Sequence, residues 1–189
     1  MLDVAGGVAI GTDSAPQNIR PATAKPNLEF PRPVPDEAYP AIGLGGVMDN
    51  KEIGIVWGKG SPEQGAEWEN KYGELTPNAR RLVPGSTGFD YSIDNLGEAV
   101  DTKTLNTLTV SRIERPQQIL STLKGYINKR GEDYTPNRET DLDPDDIESK
   151  TIQLAVPQYT SPTQWLYLNL ATRYARDHGI SLVITRIRE

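Results

Sequence analysis

Apolar residues in this chain recur with two different periods, and the alternation between them predicts the fold. Ser61-Pro62-Glu63-Gln64 reads as a helix start, with Ser at the cap, Pro at the first helical position and Gln three residues on. A helix over about 62–75 follows. Thr87–Ile93 alternates with the period of a strand, Asp94-Asn95-Leu96-Gly97 is a turn, and Glu98–Leu105 is a second strand. Leu120, Leu123 and Ile127 set helical spacing across Arg115–Arg130. Thr151–Val156 is a short apolar run, as a buried strand would be. Ser161-Pro162 opens an amphipathic helix carrying Trp165, Leu168, Ala171 and Ala175; it runs to His178 and stops at Gly179. Ile180–Ile187 is a last strand. This order predicts an α/β fold with a mixed sheet flanked by helices.

The first fifty residues break the pattern. Pro16, Pro21, Pro26, Pro31, Pro33, Pro35 and Pro40 punctuate a stretch with little apolar periodicity, which predicts an extended, polyproline-like segment. The expected division is a Pro/Gly-rich linker or delivery segment over 1–51 and a folded domain over 52–189. Ala41–Val47 and Ile53–Trp57 are expected to pair as a hairpin at the join. The N-terminus lacks the basic flank and long apolar run of a secretory signal, and no run reaches the roughly 20 apolar residues that cross a bilayer, so no stable membrane insertion is expected.

Composition narrows the chemistry. There is no cysteine and a single histidine, His178, so thiolate and multi-histidine metal sites are excluded and any metal must sit on carboxylates. The net charge of −6 argues against a general nucleic-acid coat unless basic residues cluster. They do so between Arg112 and Arg130, where Arg112, Arg115, Lys124, Lys129 and Arg130 face one acid, Glu114. These five are candidate phosphate contacts, with a solvated helix face as the plain alternative.

The strongest chemical signal lies in Asp90 and the triplet Asp101-Thr102-Lys103. Side chains alternate along a strand, so Asp101 and Lys103 share a face, roughly 7 Å apart. A reversal centred on Asn95-Leu96 sets Asp90 opposite Asp101, with β-carbons about 4.5–5.5 Å apart. Paired carboxylates beside an ammonium repel unless a cation lies between them. Cutting a phosphodiester calls for such a set: carboxylates for a divalent metal, and a lysine to position the attacking water and offset developing charge. Glu69, on the preceding helix, is the candidate that completes the metal shell. The expected catalytic set is therefore Glu69, Asp90, Asp101 and Lys103, with Glu69, Asp90 and Asp101 as metal ligands. A D-x-K triplet on a surface strand is the ordinary alternative.

Over about Gly65 to Ile187, the words Trp68-Glu69, Phe89-Asp90, Asp101-Thr102-Lys103-Thr104-Leu105, Arg115-Pro116-Gln117-Gln118-Ile119, Leu123-Lys124-Gly125-Tyr126-Ile127 and Gln164-Trp165 resemble a known family. It is the C-terminal nuclease toxin domains of contact-dependent growth inhibition effectors, of the PD-(D/E)xK restriction-endonuclease-like kind. The resemblance implies a toxin at the end of a large secreted or cell-surface effector that degrades nucleic acid in the cytoplasm of a target cell. It also implies a cognate immunity protein, a divalent metal ion (zinc or magnesium), and DNA as substrate, with tRNA the alternative. Glu69, Asp90 and Lys103 fall on the family's catalytic positions. Asp101 falls where the DNase-like branch more often has Ser or another small polar residue, and an extra carboxylate there would favour magnesium over zinc.

Other features have plainer readings. The acidic run Glu139–Glu148 is expected as a solvated loop leading to a helix start near Asp145, with a dock for a basic immunity protein as the second reading. Trp165 is expected in the core, and His178 at a helix end. Arg186 and Arg188 share a face of the last strand and fit either backbone contact or protection of a sheet edge. The Gly-rich stretches around Gly45 and Gly60 lack the P-loop pattern. A non-catalytic fragment of a surface adhesin, its acids and lysine scattered over the sheet, is the competing account of the whole.

Overall fold

Most of the expected helices and strands are present in the computed structural model, which describes residues 44–83, 88–131 and 142–189. In chain order they are β1 (Val47–Asp49), α1 (Ser61–Leu75), β2 (Arg80–Arg81), β3 (Tyr91–Ile93), β4 (Glu98–Thr104), α2 (Val110–Glu114), α3 (Gln117–Arg130), β5 (Ser149–Pro157), α4 (Pro162–Asp177) and β6 (Ile180–Arg188). Six strands form one mixed sheet in the order β1-β6-β5-β4-β3-β2. The run from β1 to β4 is parallel, and β3 and β2 are added antiparallel at the far side. The Pro-rich segment lies outside the described residues.

β5 is buried on both faces from Thr151 onward, large apolar residues on one face alternating with the smaller or polar Thr151, Gln153 and Ala155 on the other. Ile152, Leu154 and Val156 pack with Leu105, Ile119, Leu123, Ile127 and Leu168 under α3 and α4, while Ala155 joins Trp68, Met48 and Ile187 under α1. Trp165 is buried in the first cluster, as its helical spacing predicts. α4 starts with a capping box, in which Ser161 Oγ accepts from the Gln164 N–H (3.3 Å) and Gln164 Oε1 accepts from the Ser161 N–H (2.8 Å). It ends at His178 and then Gly179, whose φ of 69° is left-handed.

Several local expectations change. α1 is capped at Gly60 rather than Ser61, and the Gln64 side chain instead donates to Thr104 Oγ1 (2.9 Å), tying the helix to β4. The expected hairpin at the join does not form: β1, on the N-terminal side of the 51/52 boundary, pairs parallel with β6. That pairing makes β6 an interior strand and removes the edge-protection reading of its arginines. Arg186 is buried over the Trp165 ring at 5.2 Å, and Arg188 pairs with Asp49 at 2.6 Å. The strand expected over 87–93 is formed only at Tyr91–Ile93; Thr87 lies outside the described residues. The short elements β2 and α2 carry too few residues to show a period.

Candidate active site

The site is built where β4 outruns its neighbour. Asp94–Leu96 forms a single 3-10 turn and Gly97 closes it with φ 56°, which gives the expected register, Tyr91 opposite Val100. The β3–β4 ladder ends at that pair, so the N–H of Thr102 has no strand to bond. Asp90 supplies the acceptor: its Oδ2 takes the Thr102 N–H at 2.7 Å and the Thr102 hydroxyl at 2.8 Å. A carboxylate is thereby fixed at the open edge of the sheet, where a backbone carbonyl would otherwise be required.

On the other side of this edge stands α1. Trp68 is fully buried and its Nε1 donates to the Gln153 carbonyl at 2.9 Å, which pins the helix rotation and carries the next residue, Glu69, to the cleft. Tyr91 Oη donates to the Glu69 carbonyl at 2.9 Å, a contact possible because Gly73 leaves room: a β-carbon there would lie 2.6 Å from that oxygen. Glu69 Oε1 accepts from Arg81 at 2.6 Å, and this bond pushes the Arg81 guanidinium above its ordinary value.

Glu69, Asp90 and Lys103 line one cleft of about 440 Å³, together with Pro62, Gly65, Ala66, Thr102, Thr104 and Tyr126. Lys103 starts on the α3 face of β4, and its chain turns back over the free edge. Its Nζ donates to the Thr102 carbonyl at 2.9 Å and lies 3.8 Å from Asp90 Oδ2. The lysine thus reaches Asp90 and shares the cleft with Glu69.

Asp101 is the exception. Strand alternation points it at α3, where it is wholly buried; Oδ1 accepts from Lys103 Nζ and Oδ2 from Arg130 Nε at 2.9 Å. Burial pushes its carboxyl above the ordinary value, and the charges of Lys103 and then Arg130 oppose that push. It is not among the residues lining the cleft. The expected trio of metal-holding carboxylates is therefore not what the structure assembles: among the described residues no three His, Cys, Asp or Glu side chains gather closely enough to hold an ion. Two do line the cleft. Glu69 and Asp90 offer oxygen donors, with space beside them for water and phosphate oxygens. This fits a hard divalent cation that keeps much of its hydration.

The expected phosphate contacts divide. Arg130 faces Asp101, Arg112 donates to the Asn106 carbonyl at 2.8 Å, and Lys124 lies 4.5 Å from the centre of the Tyr174 ring. Arg115 and Lys129 are exposed, and none of the five lines the cleft. Sequence reasoning missed Thr102, Arg81 and Tyr126. Thr102 is the residue between the motif's two charges, and a strand edge left open by a short neighbour is what calls for it. His178 Nδ1 lies 2.8 Å from the Tyr174 carbonyl at the end of α4, an ordinary helix-end contact.

Residues 64–185 match the model of a family described as the CDI toxin restriction endonuclease-like domain. The chain is 33% identical over 144 residues to Deoxyribonuclease CdiA-o11 of Escherichia coli O157:H7 (strain EC869), covering 75% of this chain and 38% of that protein. It is 30% identical over 137 residues to Deoxyribonuclease CdiA of Yersinia pseudotuberculosis serotype O:3 (strain YPIII), covering 72% of this chain and 13% of that protein. The chain thus spans well under half the length of either relative. A solved structure described as a CdiA-CT/CdiI toxin and immunity complex from Yersinia pseudotuberculosis matches with a TM-score of 0.56 at 30% identity, over 63% of this chain and 97% of that one.

Proposed function

Since this chain belongs to the CDI toxin restriction endonuclease-like family, we propose that it is a metal-dependent endonuclease toxin that hydrolyses phosphodiester bonds of DNA. The observation that carries this reading is the convergence of Glu69, Asp90 and Lys103 on one cleft from three separate elements or their flanks. That convergence argues against a non-catalytic adhesin fragment, in which the same residues would be scattered. The naming of both relatives as deoxyribonucleases supports DNA over tRNA.

Glu69 and Asp90 are the residues that would hold a divalent cation. With oxygen donors only, and neither nitrogen nor sulfur, the set favours a magnesium-like ion over zinc. Such an ion, when bound, supplies Lewis-acid activation of the phosphate and of water. The chain's own residues do the rest. Thr102 orients Asp90 through two hydrogen bonds to Oδ2, and Arg81 holds Glu69. The Lys103 ammonium, beside Asp90, positions the phosphate and the attacking water and offsets negative charge as it builds on the phosphate oxygens. Gly65 and Ala66 keep the α1 wall low, so that a polymer backbone can approach.

The biological setting follows the family. The domain would be carried by a larger secreted or surface effector, act in the cytoplasm of a target cell, and be blocked in the producing cell by an immunity protein. The toxin–immunity complex of the structural neighbour supports the last point. The test is incubation of purified protein with plasmid DNA and with total tRNA, in magnesium or zinc, beside Lys103→Ala. DNA cleavage is expected, falling by at least about 10²-fold in the variant, the scale of removing one key electrostatic group. Cleavage of tRNA alone would overturn the DNA assignment, and full activity in the variant would overturn the role of Lys103.

A further inference from the structure

We infer that Arg130, with Asp101, is a positioning pair for Lys103 rather than a contact to nucleic-acid phosphate. This rests on the nuclease reading above and deepens it. The two oxygens of Asp101 are divided between two cations: Lys103 takes Oδ1 and Arg130 takes Oδ2 at 2.9 Å. Asp101 is 0% exposed and the Arg130 side chain 16%, so the guanidinium is turned inward and away from a passing phosphate chain. The Phe89 ring flanks it, 5.9 Å from Cζ to the ring centre.

Charge explains why a second cation is needed. A buried carboxylate joined to Lys103 alone would neutralise the ammonium that the cleft depends on, beside the carboxylates Glu69 and Asp90. Arginine stays protonated at any working pH. With it in place the trio of Asp101, Lys103 and Arg130 carries a net positive charge, and Asp101 can tether Lys103 without cancelling its field. The pair also acts as a unit in folding. Removing Arg130 leaves the buried Asp101 carboxylate with Lys103 and one oxygen without its cation, whereas replacing both members removes the buried charge along with its counter-charge.

The experiment compares wild type, Arg130→Gln and the double variant Asp101→Asn/Arg130→Gln. For each it measures plasmid cleavage, the salt dependence of binding to a DNA duplex without added metal, and Tm. For Arg130→Gln, a lower Tm is expected, with kcat reduced about 10²-fold, the scale of misplacing one catalytic group. KM and the salt slope are expected to stay unchanged. The double variant is expected to regain Tm but only part of the lost kcat, because an asparagine in place of Asp101 anchors Lys103 less firmly than the carboxylate does. A phosphate-contacting arginine would behave differently: binding would weaken, the salt slope would fall by about one, and the second substitution would rescue nothing. That outcome, or unchanged kcat in Arg130→Gln, overturns the inference while leaving the nuclease reading intact. If Arg130→Gln does not fold, the double variant decides: a folded protein with lowered kcat and an unchanged salt slope supports the pair, whereas failure to fold, a wild-type kcat or a lowered salt slope overturns it. A wild-type protein that cuts no DNA overturns both the nuclease reading and this inference.

Discussion

Asp90, just before β3, and Asp101, within β4, are the same residue type, and their surroundings give them different work. Asp90 has one oxygen occupied by Thr102 and sits at the cleft, so it has ligand capacity left; Asp101 has both oxygens taken by cations in the interior. Titrating manganese into the protein by calorimetry should separate them. Asp90→Asn is expected to weaken binding by at least about tenfold, within the range seen when a metal site's support is altered. Asp101→Asn should retain the ion. Equal loss in both variants would return Asp101 to the metal shell. The motif itself, Asp90 with Asp101-Thr102-Lys103, was legible from strand alternation and turn length. The separation of the two aspartates was not, because it depends on where the β3–β4 ladder stops and on an arginine supplied by α3.

Among the elements, α1 does most to place the site, and its fit depends on small residues as much as on anchors. Gly73 lies against Tyr91, whose hydroxyl holds the Glu69 carbonyl. Gly73→Ala is expected to push that ring away and to destabilise the protein by about 1–3 kcal/mol, the usual penalty of overpacking; urea unfolding measures it. An unchanged midpoint would mean that the contact yields freely. At the opposite side of the sheet β1 is tied to β6 through Asp49 and Arg188. The hydrogen bond from Arg188 holds the Asp49 carboxyl below its ordinary value of 3.8. A group lowered in this way stabilises the fold above its unfolded value, and that contribution is lost as pH falls through the folded one. The stability difference between wild type and Asp49→Asn should therefore be small at neutral pH, since the pair is solvent-screened, and should vanish in acid. A difference that grows in acid would contradict this. The long helices and β4, β5 and β6 were legible because each spans enough residues to show a period. β1 and β2, of three and two residues, were not, since only their partners define them.

At the scale of the whole molecule, the substrate proposed for a chain of net charge −6 is an anionic polymer. The cleft resolves this locally. Lys103 lines it and Arg81 bonds Glu69 beside it, whereas Asp94, Asp145, Asp146 and Glu148, with Arg80, line a separate hollow around the β3–β4 turn. The fold class and the family were both visible in ordered short words along the chain; the grouping of charge needed the sheet. Single-turnover cleavage of supercoiled plasmid tests the central claim most directly, comparing wild type with Glu69→Gln, Asp90→Asn and Lys103→Ala, with a divalent cation and with chelator. Cutting by wild type only in the presence of the cation is expected, together with loss of at least about 10²-fold in each variant. Cutting in chelator, or a wild-type rate in any of the three variants, would contradict a hydrolytic centre built from that cleft.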